Sequence, residues 1–388
     1  MKRIMHQQII LYVDHVRNHE KQLTDSQTNP IPPMNKALPE SDSPSLTTES
    51  NVVSELEQRL RQSLELRVCN VPAAAQNNQD AKIAVLFSGG LDCTLLARLS
   101  HELLPSTQPI DLLNVAFENP RVAAAATSTA NKEKKPLAST SVYESCPDRI
   151  TGRAALAELQ KVCPGRQWRL VAIDVPYAET ISHRELIKRL MRPHNTEMDL
   201  SIACALYFAS RGRGAAYKNQ TGSSSSNYYT TPARVLLSGL GADELFAGYG
   251  RHGIAFQKHN FKGLIDEITL DVSRLGKRNL GRDDRILCHW GREARYPFLD
   301  EDFVAWVLRI PVWEKCGFGL PGDEDEPSSS SSSSSSQRGI DPEKKALRLV
   351  ALRLGMGHVA REKKRAIQFG SRTAKMERGR TRGTDALG

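Results

Sequence analysis

The chain has 388 residues, enough for one large domain or two ordinary ones, and only 39% of them are hydrophobic, so part of it is expected to lie outside any packed core. Its 53 Lys and Arg against 44 Asp and Glu give a formal charge of +9, and the nine basic and two acidic residues between Arg361 and Arg382 make that run a local +7, either a solvated tail or a polyanion site. Seven cysteines with no CxxC pair argue against a disulfide scaffold or a zinc or iron–sulfur site, and no apolar run approaches the ~18 residues of a membrane span. A reducing, cytoplasmic setting is expected.

In chain order, residues 1–22 are basic with an apolar run, IILYV, too short for a secretory signal; Asp14 and Glu20 weigh against a mitochondrial presequence. Residues 23–51 are rich in Pro, Ser, Thr and Asn and read as a disordered linker, so residues 1–53 are set apart from the folded body. Leu56, Leu60 and Leu64 fall on one helical face and predict a helix over residues 54–67. The main body starts near Lys82. Strand-type runs occupy residues 83–87, 110–117, 168–175 and 234–238. Helix-type runs occupy residues 91–104, 151–162, 177–189, 199–211 and 302–308. Biased inserts at residues 122–141, 218–231 and 322–339, the last with nine consecutive serines, are expected to be surface loops or disordered insertions. Apolar strands separated by helices predict an α/β fold with a doubly wound parallel sheet and a helical C-terminal part.

Two strand ends stand out. The first strand run leads into SGGLDCT, residues 88–94, and then into an amphipathic helix. Glycines there let the backbone turn and approach a ligand, and the helix N-terminus favours a phosphate. No lysine follows the glycines, so this is not a Walker A loop. Ser88 and Thr94 offer hydroxyls, and Asp92 would repel a phosphate unless Mg²⁺ intervened. The alternative is an ordinary strand–helix turn with Asp92 as a helix-end charge. The strand run over residues 234–238 ends similarly, in SGLGADELFAGYGRH, residues 238–252. Two parallel strands ending this way can bring Asp92 and Asp243 around one Mg²⁺–polyphosphate. The basic run then acquires a specific task, with Lys364 or Arg365 neutralising leaving phosphates.

These motifs, with EARYPFLD (residues 293–300) and the late KRAIQFGS (residues 364–371), resemble the synthetase domain of the asparagine synthetase family. The stretches NTEMDLSIACALYFASRG and CPDRITGRAALAELQ are similar to a branch of that family named for carrying the domain. The resemblance spans residues 54–377 and leaves residues 378–388 as a basic tail. It implies a PP-loop ATP pyrophosphatase fold of the adenine nucleotide alpha hydrolase type. It also implies ATP-dependent amidation of aspartate through β-aspartyl-AMP, with ammonia as the nitrogen source and ATP and Mg²⁺ as cofactors. Carried over by position, Ser88, Gly89, Gly90, Asp92 and Thr94 would form the pyrophosphate loop. Leu86 and Val115 would flank the adenosine, Gly239 would touch it through its backbone, Asp92 and Asp243 would hold Mg²⁺, and Lys364 would hold pyrophosphate, with Lys363 its substitute in register. Arg295 and Asp300 are expected to be structural.

The chain departs from the family pattern at three places. Leu240 stands where a glutamate occurs in the family's second loop, and leucine can neither take a proton nor orient ammonia. The residues expected to recognise aspartate fall at residues 198–201, where no arginine occurs. Residue 2 is Lys and no cysteine precedes Cys69, so the glutaminase domain and its nucleophile are expected to be absent. Free ammonia or a separate glutaminase partner would supply the nitrogen, or the chain is a truncated form; neither a membrane nor a nucleic acid is an expected partner. A catalytically impaired nucleotide-binding scaffold is the competing expectation.

Overall fold

A computed structural model of the chain describes residues 31–40, 45–72, 80–122, 141–218, 228–319, 339–376 and 382–387. The elements, in chain order, begin with α1 (Asn51–Val68), β1 (Ile83–Leu86), α2 (Leu91–Leu103), β2 (Ile110–Phe117), α3 (Pro147–Val162), β3 (Trp168–Val175), α4 (Tyr177–Leu190) and α5 (Glu197–Arg211). There follow β4 (Arg213–Lys218), β5 (Tyr228–Thr230), β6 (Val235–Leu237), the single turn α6 (Ala242–Leu245), α7 (Gly250–Leu275), a π-helical turn (Gly276–Leu280), α8 (Gly281–Cys288) and β7 (Glu293–Arg295). Last come α9 (Glu301–Arg309), α10 (Lys345–Arg353), α11 (Gly357–Arg361) and α12 (Ile367–Gly370).

One seven-stranded sheet runs in the order β5-β4-β3-β2-β1-β6-β7. The five strands from β3 to β7 in that order are parallel, and β4 and β5 add an antiparallel edge. The strands are buried on both faces because their alternate residues serve two cores. Ile83, Val85, Val235 and Leu237 pack with Leu56, Leu96 and Leu347 of α1, α2 and α10. Ala84, Leu236, Val115 and Phe117 pack with Ile187, Tyr207 and Phe208 of α4 and α5 and Ile286 of α8. The doubly wound parallel sheet expected from the sequence is therefore present, with a mixed edge. The chain progresses from β1 to β2 and β3 on one side and resumes at β6 and β7 on the other. The β1–β6 boundary is thus the topological switch point, the usual place for a ligand crevice in open α/β sheets.

Three expectations need adjustment. The 218–231 segment, read as a polar insert, is bounded by strand: β4 ends at Lys218 and β5 fills residues 228–230, pairing antiparallel. Residues 23–51 do not all behave as a linker: Met34 and Leu46 are buried, and Asn35 donates from its backbone N to Leu308 O at 2.8 Å and from its amide to Arg309 O at 2.7 Å. The basic tail also has a place. Met198 N donates to Gly383 O and Glu197 N to Asp385 O, at 2.9 and 3.0 Å, so residues 383–385 lie along the start of α5. Most of the other two biased segments, residues 123–140 and 320–338, falls outside the described residues.

Candidate nucleotide site at the switch point

The loop after β1 is held in place from the neighbouring strand. Asn114, buried on β2, donates from its amide to Phe87 O at 2.9 Å and to Asp148 O at 2.8 Å, tying the loop to the first turn of α3. Arg149 fixes the same turn from below. It is fully buried and donates to Asn114 Oδ1 at 2.7 Å, to Asp174 at 2.7 Å and to Glu144 at 2.8 Å. Gly89 adopts a φ of +81°, and a Cβ there would lie 2.4 Å from the Gly152 nitrogen of α3. Only glycine fits a loop in the left-handed region packed this closely on a helix.

The loop after β6 approaches from the other side. Gly239 sits so close that a Cβ on it would stand 3.0 Å from Asp92 Cβ. Between the two loops opens a cavity of about 450 Å³, lined among others by Leu86, Ser88, Gly90, Asp92, Val115, Gly239, Leu240, Asp243 and Lys364. Its residues thus include most of the positions singled out in the sequence. Thr94 is placed elsewhere: it is fully buried and donates its hydroxyl to Gly90 O at 2.7 Å, so it supports the loop from behind. Gly89 likewise faces α3 and is not among the lining residues.

The charge arrangement is more specific than the sequence reading anticipated. Asp92 and Asp243 do converge, and what lies between them is Lys344. Its Nζ donates to Asp92 Oδ1 and Oδ2, each at 2.8 Å, and stands 2.9 Å from Asp243 Oδ1. Lys344 is buried, adopts a φ of +55° and immediately precedes α10. Lys364 donates to the other oxygen of Asp243. Burial alone would raise the Asp243 pKa, but the Lys344 and Lys364 ammoniums overcome it and hold the carboxyl well below the usual carboxylate range. Burial also works against the Lys344 ammonium, yet Asp243 and Asp92 together raise its pKa above the ordinary lysine value. Two carboxylates and two ammoniums form a neutral quartet with no solvent-separated member. Of the two neighbouring lysines, it is Lys364 that joins it, and Lys363 lines the cavity with no carboxylate partner among the described residues.

Do these residues suit Mg²⁺? Asp243 Oδ1 is buried 2.9 Å from Lys344 Nζ, so a metal ion at this oxygen would take the place of that ammonium. Among the described residues no cluster of three or more His, Cys, Asp or Glu forms a closed metal cage. Two converging carboxylates, at present shared with ammoniums, match the way Mg²⁺ is held, by one or two carboxylates plus substrate phosphates. The donor set therefore fits a nucleotide-borne ion.

Among the lining residues that were not anticipated are Lys344, Glu244 and Asp148. Lys344 was hidden in an ordinary-looking run, EKKALR. Glu244 is buried, accepts from Tyr249 Oη at 2.6 Å and from Asn279 Nδ2 at 2.7 Å, and has its pKa raised by burial and by Asp243. Asp148 lines the cavity in the first turn of α3, with Arg365 Nη1 at 4.0 Å. Burial pushes its pKa up to about 7 against the opposing pull of Arg365 and Lys364.

That last shift has a measurable consequence. A carboxyl whose folded pKa is raised binds more protons folded than unfolded, so its stabilising contribution is complete below about pH 4 and is lost as pH rises through about 7. The buried carboxyls of Glu244, Asp111 and Asp283 are shifted in the same direction, so the diagnostic is a difference. Asp148→Asn is expected to flatten the fall in melting temperature between pH 4 and pH 7.5 relative to wild type. Parallel curves for the two proteins would rule out Asp148 as a titrating group in that window.

Comparison with known proteins adds family information. A model of the asparagine synthase family matches residues 257–379, which include Lys344 and Lys364. Over 330 residues the chain is 42% identical to human asparagine synthetase domain-containing protein 1, covering 80% of this chain and 48% of that protein. It is 36% identical to an asparagine synthetase domain-containing protein of Saccharomyces cerevisiae, covering 88% of this chain and 57% of the yeast protein. A putative glutamine-hydrolyzing asparagine synthetase of Methanocaldococcus jannaschii is 37% identical over 153 residues, 37% of this chain and 28% of that protein. The chain spans about half the length of the curated relatives it matches. No helix among the described residues is long and apolar enough to cross a membrane.

Proposed function

We propose, for a chain similar to the asparagine synthetase family in its synthetase domain, ATP-dependent activation of a carboxylic acid, with aspartate amidation through β-aspartyl-AMP as the specific reaction. The observation that carries this reading is the meeting of Asp92 and Asp243, from two adjacent parallel strands, around Lys344. Such a pairing needs to be held together in the free protein and can be reopened by a polyphosphate. In this reading the fold is of the PP-loop ATP pyrophosphatase type. The loop over residues 88–92 cradles the phosphates, and Leu86 and Val115 flank the adenosine beside the Gly239 backbone. Asp92 and Asp243 would hold Mg²⁺, which supplies charge neutralisation on the phosphates when bound. Lys364, and Lys344 once released from a carboxylate, stabilise negative charge gathering on departing pyrophosphate. A carboxylate is a poor electrophile, and making AMP its leaving group is what allows ammonia to attack.

Leu240 favours a second reading. It lines the cavity where a family glutamate would stand, so no carboxylate is offered at that position for the amide-forming step. A protein that binds nucleotide without completing amidation is consistent with it.

ATP–pyrophosphate exchange with Mg²⁺, measured with and without aspartate, separates the two. Aspartate-dependent exchange in wild type, lost by at least about a hundredfold in Asp243→Asn, is the expected result if this carboxylate serves the reaction. Nucleotide binding with no exchange would favour the scaffold reading. Exchange that survives Asp243→Asn would remove Asp243 from the chemistry.

A further inference from the structure

The cavity has a second end. Beyond Glu244 its wall is formed by the end of α7 and the π-helical turn Gly276–Leu280, which runs straight into α8. Asn279 pins this turn to Glu244, the immediate neighbour of Asp243. A π-helical turn rotates the side chains that follow it relative to a regular helix, and such turns recur at functional sites. Arg274 and Arg278, four residues apart, both face the cavity from here, and both are exposed.

Most cations on this wall are already matched. Lys344 and Lys364 share Asp243, Arg251 pairs with Asp271, and Arg282 pairs with Asp199 and Asp283. Among the described residues, neither the Arg274 nor the Arg278 guanidinium has a carboxylate or any hydrogen-bond partner. Like charges at this spacing repel across a helix face, so the pair is a cost in the free protein that a bound anion relieves. Guanidinium is also the side chain best shaped to grip a carboxylate through two hydrogen bonds.

The start of α5, where the sequence placed acceptor recognition, offers nothing comparable. The backbone N–H groups of Glu197 and Met198 are taken by Asp385 O and Gly383 O, and Asp199 is occupied by Arg282 and by Thr196.

We propose that Arg278, with Arg274 beside it, is the acceptor-acid clamp, holding one carboxylate of a small dicarboxylic acid while the other is presented at the Asp243 end. The clamp thus comes from the α7–α8 junction and not from α5. This inference rests on the reading that the cavity activates a carboxylic acid with ATP, and it assigns the residues that select that acid.

The test is calorimetric titration of L-aspartate and of succinate into the full chain saturated with a non-hydrolysable ATP analogue and Mg²⁺. Wild type is expected to bind a dicarboxylate, and Arg278→Gln to weaken it at least about tenfold, the loss of a charged hydrogen-bond pair. Arg278→Lys should recover part of the loss, Arg274→Gln should give a smaller one, and affinity for the analogue should be unchanged in all three. A bystander arginine would leave dicarboxylate affinity the same in Arg274→Gln and Arg278→Gln, and that result overturns the clamp. So does a wild type that binds the analogue but no dicarboxylate. A wild type that fails to bind the analogue sinks the nucleotide reading, and the clamp falls with it.

Discussion

Lys344→Met is expected to produce the largest combined loss of stability and nucleotide handling of any single change at this site. Methionine keeps most of the volume and removes the charge. Asp92 and Asp243 would then face each other across a buried gap with only Lys364 to offset them. Removing one partner from a buried ion cluster costs about 3–5 kcal/mol, because the remaining charges stay desolvated. The variant should therefore melt well below wild type, and added Mg²⁺ should restore more of its melting temperature than it adds to wild type. Asp243→Asn on top of Lys344→Met relieves the repulsion, so the double variant should be more stable than Lys344→Met alone. If the two losses simply add, the quartet is not a coupled unit. Thermal melts of the four proteins, with and without Mg²⁺, decide this.

Gly89→Ala should come second. The residue would have to adopt a left-handed backbone with a Cβ 2.4 Å from backbone atoms of Thr151 and Gly152. Backbone strain and forced displacement together are expected to cost about 2–4 kcal/mol. Because the displaced element is α3, the first turn carrying Asp148 moves with the loop. ATP affinity should fall even where the variant remains folded. Gly90→Ala is the control: its Cβ would meet only Ser88 Oγ, at 3.4 Å, and it should be far milder. Equal damage from both substitutions would mean that loop flexibility matters more than the contact with α3.

Much of this architecture was legible because burial on both faces writes long apolar runs. The bounds of β2 and β3 follow from their sequence to the residue. What escaped had weak or misleading patterns. β4 and β5 flank a Gly/Ser-rich segment and contain Gly, Ala and Tyr, and β7 is only three residues long. α7 breaks at His259 and Asn260, which disrupts its periodicity. At the site, Asp92, Asp243 and Lys364 were marked by their motifs, and the structure brings all three together. Lys344 carried no such mark. It reaches Asp92 across 252 residues of sequence, and a lysine at a helix start ordinarily reads as a solvated charge. Thr94 shows the opposite limit: a hydroxyl at the right spacing turned inward to serve the backbone of its own loop. Arg278 was equally silent, because helical periodicity does not foresee a π turn.

The neutral quartet also imposes an order on synthesis. Both carboxylates are translated before either of their counterions, and Lys364 follows Asp243 by 121 residues. While the chain grows from the ribosome, the sheet strands that carry the two acidic loops can be complete with their negative charges still unmatched. The charge balance of the switch-point crevice is complete only once Lys344 and Lys364 have been made, so in chain order the acidic half of the site precedes its basic half.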